Sequence, residues 1–273
     1  MTAPTDSALL LAGGRGTRMQ RPDPGAPLDA EQERLAALGV KSMVPDARGR
    51  PLLDHILTSL ADAGIRRVGI VVPPGRDAIA SHLSRRPPRR VAITTILQQE
   101  PTGTAHAVLT AIEWAGNGPF LVLNADNLYD ITLLAELARV EGPACAAFDA
   151  DVLVERSNFP ADRVRAFARL VTDSSGLLLD VVEKPTDAML AVLPSGAPVS
   201  MNLWRFDSRI FPACRDVGIS ERGEHELPGA VSLAVTRGMP CHLVRTATGV
   251  LDLSARGDIA AVAMQLAQMR VDP

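Results

Sequence analysis

LLLAGGRGTRMQ, Leu9 to Gln20, sets an apolar run directly before a loop of glycines and arginines. Begun at Ala8, this continuous apolar run reads as a buried strand. Glycines placed just after a strand let backbone amides approach phosphate oxygens, and a following helix N-terminus adds a favourable dipole. Neither common phosphate cradle is matched. A dinucleotide fingerprint needs GxGxxG with an acid about 20 residues on, after a second strand. Here the sequence is GGRGTR, and a long segment from Arg21 to Gly39, partly helical in DAEQERLAALG, comes next. The pattern GxxxxGK[ST] is absent. The loop points to a polyphosphate without saying which one.

Working outward, strand and helix patterns alternate. Strands are expected in RRVGIVV, RVAITTILQQ, PFLVLNAD and PACAAFDADVLV. Helices are expected in PLLDHILTSLADAG (Pro51 at its start, Gly64 as its cap), GRDAIASHLSR, TAHAVLTAIEWAG and ITLLAELARVEG. Such alternation builds a mostly parallel sheet with helices on both faces, and ligands then gather at the carboxyl ends of the strands. The glycine loop, Asp126 and QQEPTGT each follow a strand, so they belong on one edge. Beyond residue 150 the texture changes. RVRAFARLVTDSSGLLLDVVEKP reads as a hairpin about an Asp-Ser-Ser-Gly turn. PVSMNLWRFD and PCHLVRTATGVLDL add strands, and GEHELPGAVSLAVTRG and SARGDIAAVAMQLAQMR add helices.

Composition excludes several classes. A net charge of −3 supplies no basic field for nucleic acid or anionic membrane. RRPPRR, residues 85–90, reads as a solvated turn. No apolar run reaches membrane-spanning length, and the polar start MTAPTDS lacks the order of a signal peptide. Cys145, Cys214 and Cys241 are scattered without a CxxC pair, which fits free thiols in a reducing cytoplasm. Of 28 basic residues only Lys41 and Lys184 are lysine. A chain that writes arginine nearly everywhere keeps lysine where a compact ammonium on a flexible stem serves better than a planar fork.

The order of the motifs resembles the sugar-1-phosphate nucleotidyltransferases. The matching pieces are LAGGRGTRM, KSMVP, RPLLDHIL with LADAGIRRVGIVV, QQEPTGTAHAV, LNADNLYD, VVEKP, SMNLWRF, GEHELPGAV and GVLDLSARGDI, across nearly the whole chain. Both lysines fall where that family uses lysine. The resemblance implies an α/β, Rossmann-like three-layer αβα fold with a mixed, mostly parallel sheet. It implies one nucleotidyltransferase domain over residues 1–273, with 1–150 mainly serving the NTP and 151–273 mainly the sugar phosphate. The implied reaction is in-line transfer of a nucleotidyl group from an NTP to a sugar 1-phosphate, with Mg²⁺ and loss of pyrophosphate. A phosphate monoester is largely dianionic at neutral pH and needs no general base, so positioning and charge neutralisation carry the catalysis.

By the same resemblance, Leu11, Ala12, Gly13, Gly14, Gly16 and Thr17 hold the nucleotide, with Gln98 or Gln99, Gly103 and Thr104 at its base. UTP or dTTP is favoured. Arg18 and Lys41 neutralise the α-phosphate and the departing pyrophosphate. Asp126 and Asp252 are the Mg²⁺ carboxylates, two oxygen donors completed by phosphate and water. Lys184 meets the acceptor phosphate, and Asn127, Glu183, Asn202 and Glu224 line the sugar side. Simpler readings stand beside these. Asp126 could cap a turn, Asp258 could replace Asp252, Glu183 could pair with Lys184, and Glu224 and Glu226 could order a loop. His106 reads as a helix-start residue and Trp204 as packing. Asn202 departs from the family's usual glycine, which points away from the commonest sugar. The long Arg18–Lys41 stretch would set Lys41 on a lid-like loop. A homo-oligomer is open. The rivals are a GT-A-like glycosyltransferase using Asp149–Asp151 as a DxD motif, and a non-catalytic nucleotide-sugar-binding protein.

Overall fold

The computed structural model describes residues 4–14, 16–75 and 77–273. Its central strand, β1 (Ser7–Leu11), is buried at every position. Ala8 and Leu10 pack into one apolar cluster, and Leu9 and Leu11 into another. A strand covered on both faces has no side for polar residues, so SALLL does not alternate. The first cluster draws on helices Leu52–Asp62, Ile131–Arg139 and Arg256–Leu266. The second draws on Thr104–Thr110, Ile210–Asp216 and Leu227–Thr236.

Among the described residues the remaining strands are β2 (Arg67–Val72), β3 (Ala92–Leu97), β4 (Phe120–Asn124), β5 (Asn127–Tyr129), β6 (Ala144–Phe148), β7 (Arg169–Thr172), β8 (Leu178–Val182), β9 (Val199–Phe206), β10 (His242–Thr246) and β11 (Val250–Asp252). The main sheet runs β10-β6-β9-β4-β1-β2-β3, with β7 on β9 and β8 on β7. β3, β2, β1 and β4 are parallel. β9 inserts antiparallel between β4 and β6. The mixed, mostly parallel sheet with helices on both faces is the one expected. β5 and β11 form a separate antiparallel pair.

Three local readings are corrected. PACAAFDADVLV is a strand only to Phe148. Asp149 then accepts from Asp151 N and Val152 N and caps helix Ala150–Arg156, so the DxD mimic is a helix cap. RVR, residues 163–165, closes helix Ala161–Arg165, and Ala166 caps it, so RVRAF is not part of the hairpin. The TAHAVLTAIEWAG helix breaks at Ala111, between β-branched Thr110 and Ile112. The Asp-Ser-Ser-Gly turn forms as read, with Asp173 accepting from Ser175 N and Leu177 N and Gly176 at φ 85°. RRPPRR is a turn whose Arg89 N donates to Pro273 O, while Arg90 pairs with Asp62.

Candidate active site

β1, β3 and β4 end on one edge. Their loops enclose a cavity of about 240 Å³ whose lining includes Leu11, Gly13, Gly14, Gln98, Gly103, Thr104, Asn124, Asp126 and Glu224. Side chains would close it: a Cβ on Gly13 would sit 3.2 Å from Gln98 Oε1. Gln98 is buried, donates to Gly103 O at 3.1 Å and lies 3.0 Å from His106 Nδ1. His106 therefore orders the helix start, as expected. Gln99 is exposed and outside the lining, so Gln98 is the glutamine that faces the cavity. The GEHEL stretch is sewn to this loop: His225 N donates to Thr102 O, Ala105 N to His225 O, and Leu227 N to Thr104 Oγ1 at 2.8 Å.

The glycine loop leads into a helix of one turn, Thr17–Gln20, so the dipole expected there is small. Gly16 takes φ 64° and packs on Gly39; a Cβ would lie 2.6 Å from Gly39 O. The Arg21–Gly39 segment thus folds back onto the loop. Its helix Ala30–Ala37 is fixed by an Asp29–Gln32 capping box. A 3₁₀ turn, Lys41–Met43, follows directly. Lys41 Nζ then reaches Asp126 Oδ2 at 2.7 Å. Both side chains are mostly buried, at 19% and 24% exposure. Thr17 and Arg18 are exposed.

Asp126 lies in the tight turn between β4 and β5. Asn127 is in register with Asp252, and Leu253 N donates to Asp126 O at 2.9 Å. The short β5–β11 ladder is therefore what brings the two acids together. Burial raises the Asp252 carboxyl above its usual range, the Asp126 charge raises it further, and Arg163 and Lys41 oppose. Tyr129, buried beneath them, is raised by burial and then by both carboxylates. Asp258 instead accepts from Ser254 N and Ala255 N at the start of helix Arg256–Leu266. That leaves Asp252 as the acid beside Asp126.

The Asn127 side chain is buried and its amide donates to Asp252 Oδ1 at 2.9 Å, so it is turned toward the acid pair. Asn202 sits at φ 56° where the β6–β9 register shifts. A bulge residue in the left-handed region favours glycine, and asparagine tolerates it best among other residues. The usual glycine at this position thus has a backbone reason. The Met201 carbonyl beside the bulge accepts from Tyr129 OH. Lys184 is exposed at φ 42°. Burial raises the Glu183 carboxyl, as does Glu226, against Lys184 and Arg222. Trp204 is fully buried and stacks on Phe206, confirming packing.

Two neighbours of Asp252 went unread. Arg163 holds Oδ2 at 2.5 Å. Asn158 brackets the backbone, accepting from Asp252 N at 2.8 Å and donating to its carbonyl at 2.7 Å. In a chain with 26 arginines against two lysines, one arginine carries no signal. A larger cavity of about 770 Å³, between helices Ala30–Ala37 and Asp77–Arg85, touches neither acid.

Among the described residues no group of three or more His, Cys, Asp or Glu is placed to hold a metal. The Asp126–Asp252 pair nonetheless fits Mg²⁺: two hard carboxylate donors that feel each other's charge, beside a cavity with room for phosphate and water. Fold and edge together define a nucleotide-handling α/β protein.

The family model for nucleotidyl transferases matches residues 7–252. The UTP–glucose-1-phosphate uridylyltransferase AglF of Haloferax volcanii is 31% identical over 247 residues, covering 90% of each chain. Glucose-1-phosphate thymidylyltransferase of Streptomyces griseus is 29% identical over 231 residues, 85% of this chain and 58% of that one. The chain spans about half the length of several other curated relatives. A solved UDP-glucose pyrophosphorylase, complexed with UDP-glucose, superimposes with a TM-score of 0.72 at 17% identity, covering 99% of this chain and 100% of that one. The chain belongs to the nucleotidyl transferase family.

Proposed function

We propose that this chain transfers a nucleoside monophosphate from an NTP, UTP or dTTP by preference, to a sugar 1-phosphate and releases pyrophosphate. The observation that carries the reading is the Lys41–Asp126 ion pair at the glycine loop, where Leu11, Ala12, Gly14, Gly39 and Ser42 also converge. A cation and a carboxylate beside this loop suit a polyphosphate. The uridylyl- and thymidylyl-transferring names of the relatives support both acceptor class and base.

On this reading Leu11, Ala12, Gly13, Gly14, Gly16 and Thr17 cradle the phosphates, and Gln98 with Gly103 and Thr104 reads the pyrimidine. Lys41 exchanges Asp126 for phosphate, and with Arg18 it neutralises charge on the α-phosphate and on the departing pyrophosphate. Lys184 holds the acceptor phosphate in line, while Glu183, Asn202 and Glu224 meet the sugar. Asn127 acts on Asp252 instead. Asp126 and Asp252 would hold Mg²⁺, which when bound supplies further neutralisation of phosphate charge. The acceptor arrives as a dianion, so no side chain has to remove a proton. The division into a nucleotide part to residue 150 and an acceptor part beyond it belongs to the same proposal, as does a cytoplasmic setting. The described residues include no helix long and apolar enough to cross a membrane, and the three cysteines are free and buried.

A pyrophosphate-release assay with Mg²⁺, crossing the common NTPs with a panel of sugar 1-phosphates, tests the reading. Release is expected with UTP or dTTP. Silence across the panel, with nucleotide still raising the melting temperature, would remove the sugar 1-phosphate from the proposal.

A further inference from the structure

Resting on the reading of Asp126 and Asp252 as the carboxylates that take a divalent cation, we propose that Arg163 is a positioning residue that sets their affinity for it. Arg163 is the resident counter-charge of Asp252 and keeps the pair from holding an ion without a polyphosphate.

The geometry around Arg163 is closed on several sides. Its NH2 donates to Asp252 Oδ2 at 2.5 Å, and its NH1 lies 3.7 Å from Asp258 Oδ2. The guanidinium stands 4.9 Å from the centroid of the Phe159 ring, and Nε is buried without a partner. A planar cation stacked on a ring and hydrogen-bonded to a buried carboxylate is held in place, not tethered loosely in water.

Asp252 cannot swing away from it. Oδ1 is taken by Asn127, and Asn158 brackets both the backbone N–H and the carbonyl. Asp126 is matched in turn by Lys41. Asp258 is a third carboxylate at the far side of Arg163, but Asp126 and Asp252 are each already paired with a cation, and a free divalent cation meets them so. The two cations differ in one respect. Lys41 has a flexible stem and a phosphate cradle beside it, so it has somewhere to go when nucleotide enters. Arg163 is packed and remains. With Arg163 in place, the charge that draws in the ion must come largely from phosphate oxygens. An arginine that merely braced Asp252 would leave cation affinity unchanged or weaker on removal. One that opposes the cation would make it stronger.

The test is a titration of the nucleotide-free, full-length protein with Mn²⁺ at pH 8, reading free Mn²⁺ by electron paramagnetic resonance. Arg163→Met and Arg163→Gln are expected to bind Mn²⁺ at least about tenfold more tightly than wild type, from the loss of one adjacent like charge. Arg163→Lys, which keeps the charge, should stay near wild type. Adding Asp126→Asn should abolish the gain. Folded Met and Gln variants that bind no more tightly overturn the inference and leave the carboxylate-pair reading standing. So does a tight nucleotide-free Mn²⁺ site in the wild type that Asp126→Asn removes, a result that needs no Arg163 variant. A gain that survives Asp126→Asn places the ion elsewhere, and then the carboxylate-pair reading falls with the inference.

Discussion

Asn127 and Asp252, 125 residues apart, are directly paired across β5 and β11 and joined by a side-chain hydrogen bond of 2.9 Å. The bond holds Oδ1 of Asp252 while Arg163 holds Oδ2, so the carboxylate is fixed from both sides. Asn127→Ala removes the donor and leaves a buried carboxylate oxygen short of a partner, at a cost of roughly 1–3 kcal/mol. We expect that loss in urea unfolding, together with a higher Mg²⁺ requirement for pyrophosphate release. Unchanged values for both would reduce Asn127 to a space-filling residue.

Lys184 and Asn202, at φ 42° and 56°, are the non-glycine residues with positive φ among those described. Both lie where the acceptor is expected, and backbone strain held at such a point is characteristic of functional sites. Replacing either by glycine relieves about 0.5–1 kcal/mol of left-handed strain. Asn202→Gly and Lys184→Gly should therefore melt at or above the wild-type temperature. Lys184→Gly should at the same time lose acceptor-dependent turnover by about 10²-fold or more, the scale of removing one charged stabilising group. A Lys184→Gly protein that is clearly less stable would show that the lysine side chain is held for packing.

The main sheet and its active edge were legible because β1, β2, β4 and β6 each carry their own signal, an apolar run followed by a loop, whereas the three-residue β5 is too short to carry one. DADVLV was not, because its β-branched residues fit a strand as well as a helix, and Asp149 decides the matter only through a cap bond to Val152. Gly13, Lys41 and Asp126 could be read because few residue types do their work. Arg163 and Asn158 could not, because their partner Asp252 is distant in sequence and arginine is this chain's default cation. The Asn127–Asp252 bond was equally hidden, because its two residues lie 125 positions apart and meet only across the β5–β11 ladder.

Gly103 and Gly14 are both in the expected nucleotide loops but differ in what surrounds them. Gly103 takes φ 132°, and a Cβ there would fall 2.3 Å from His225 O. Gly14 has nothing within 4 Å of an added Cβ and no positive φ. Gly103→Ala should destabilise by about 3 kcal/mol or more and loosen the loop from the GEHEL stretch. Gly14→Ala should leave the unfolding free energy within about 0.5 kcal/mol, or slightly raised, while KM for the NTP rises because the methyl stands where phosphate approaches. Normal KM in Gly14→Ala would move the phosphates off this part of the loop.

His55 gives the fold a pH dependence. Its ring is buried, with Nε2 3.2 Å from Asp46 Oδ2. Burial holds the imidazole below its ordinary range, although the Asp46 carboxylate pulls the other way. The unfolded chain takes up this proton near pH 6.5, while the folded chain does so only at lower pH. The unfolded state therefore binds more protons in that window, and stability falls as pH drops below about 6.5. Asp46 acts in the same sense further down. Burial raises its carboxyl, but hydrogen bonds from Arg50 N, Arg48 N and His55 outweigh this and hold it below the usual range. Its contribution is lost as pH falls below about 4. His55→Gln can still donate to Asp46 but cannot titrate, so its urea-unfolding free energy should decline less than that of wild type between pH 7 and pH 5.5. Equal slopes would assign the titration to another group. Because the Asp46–Arg50 turn follows Lys41–Met43 directly, acid should loosen the segment that carries Lys41 before it unfolds the sheet.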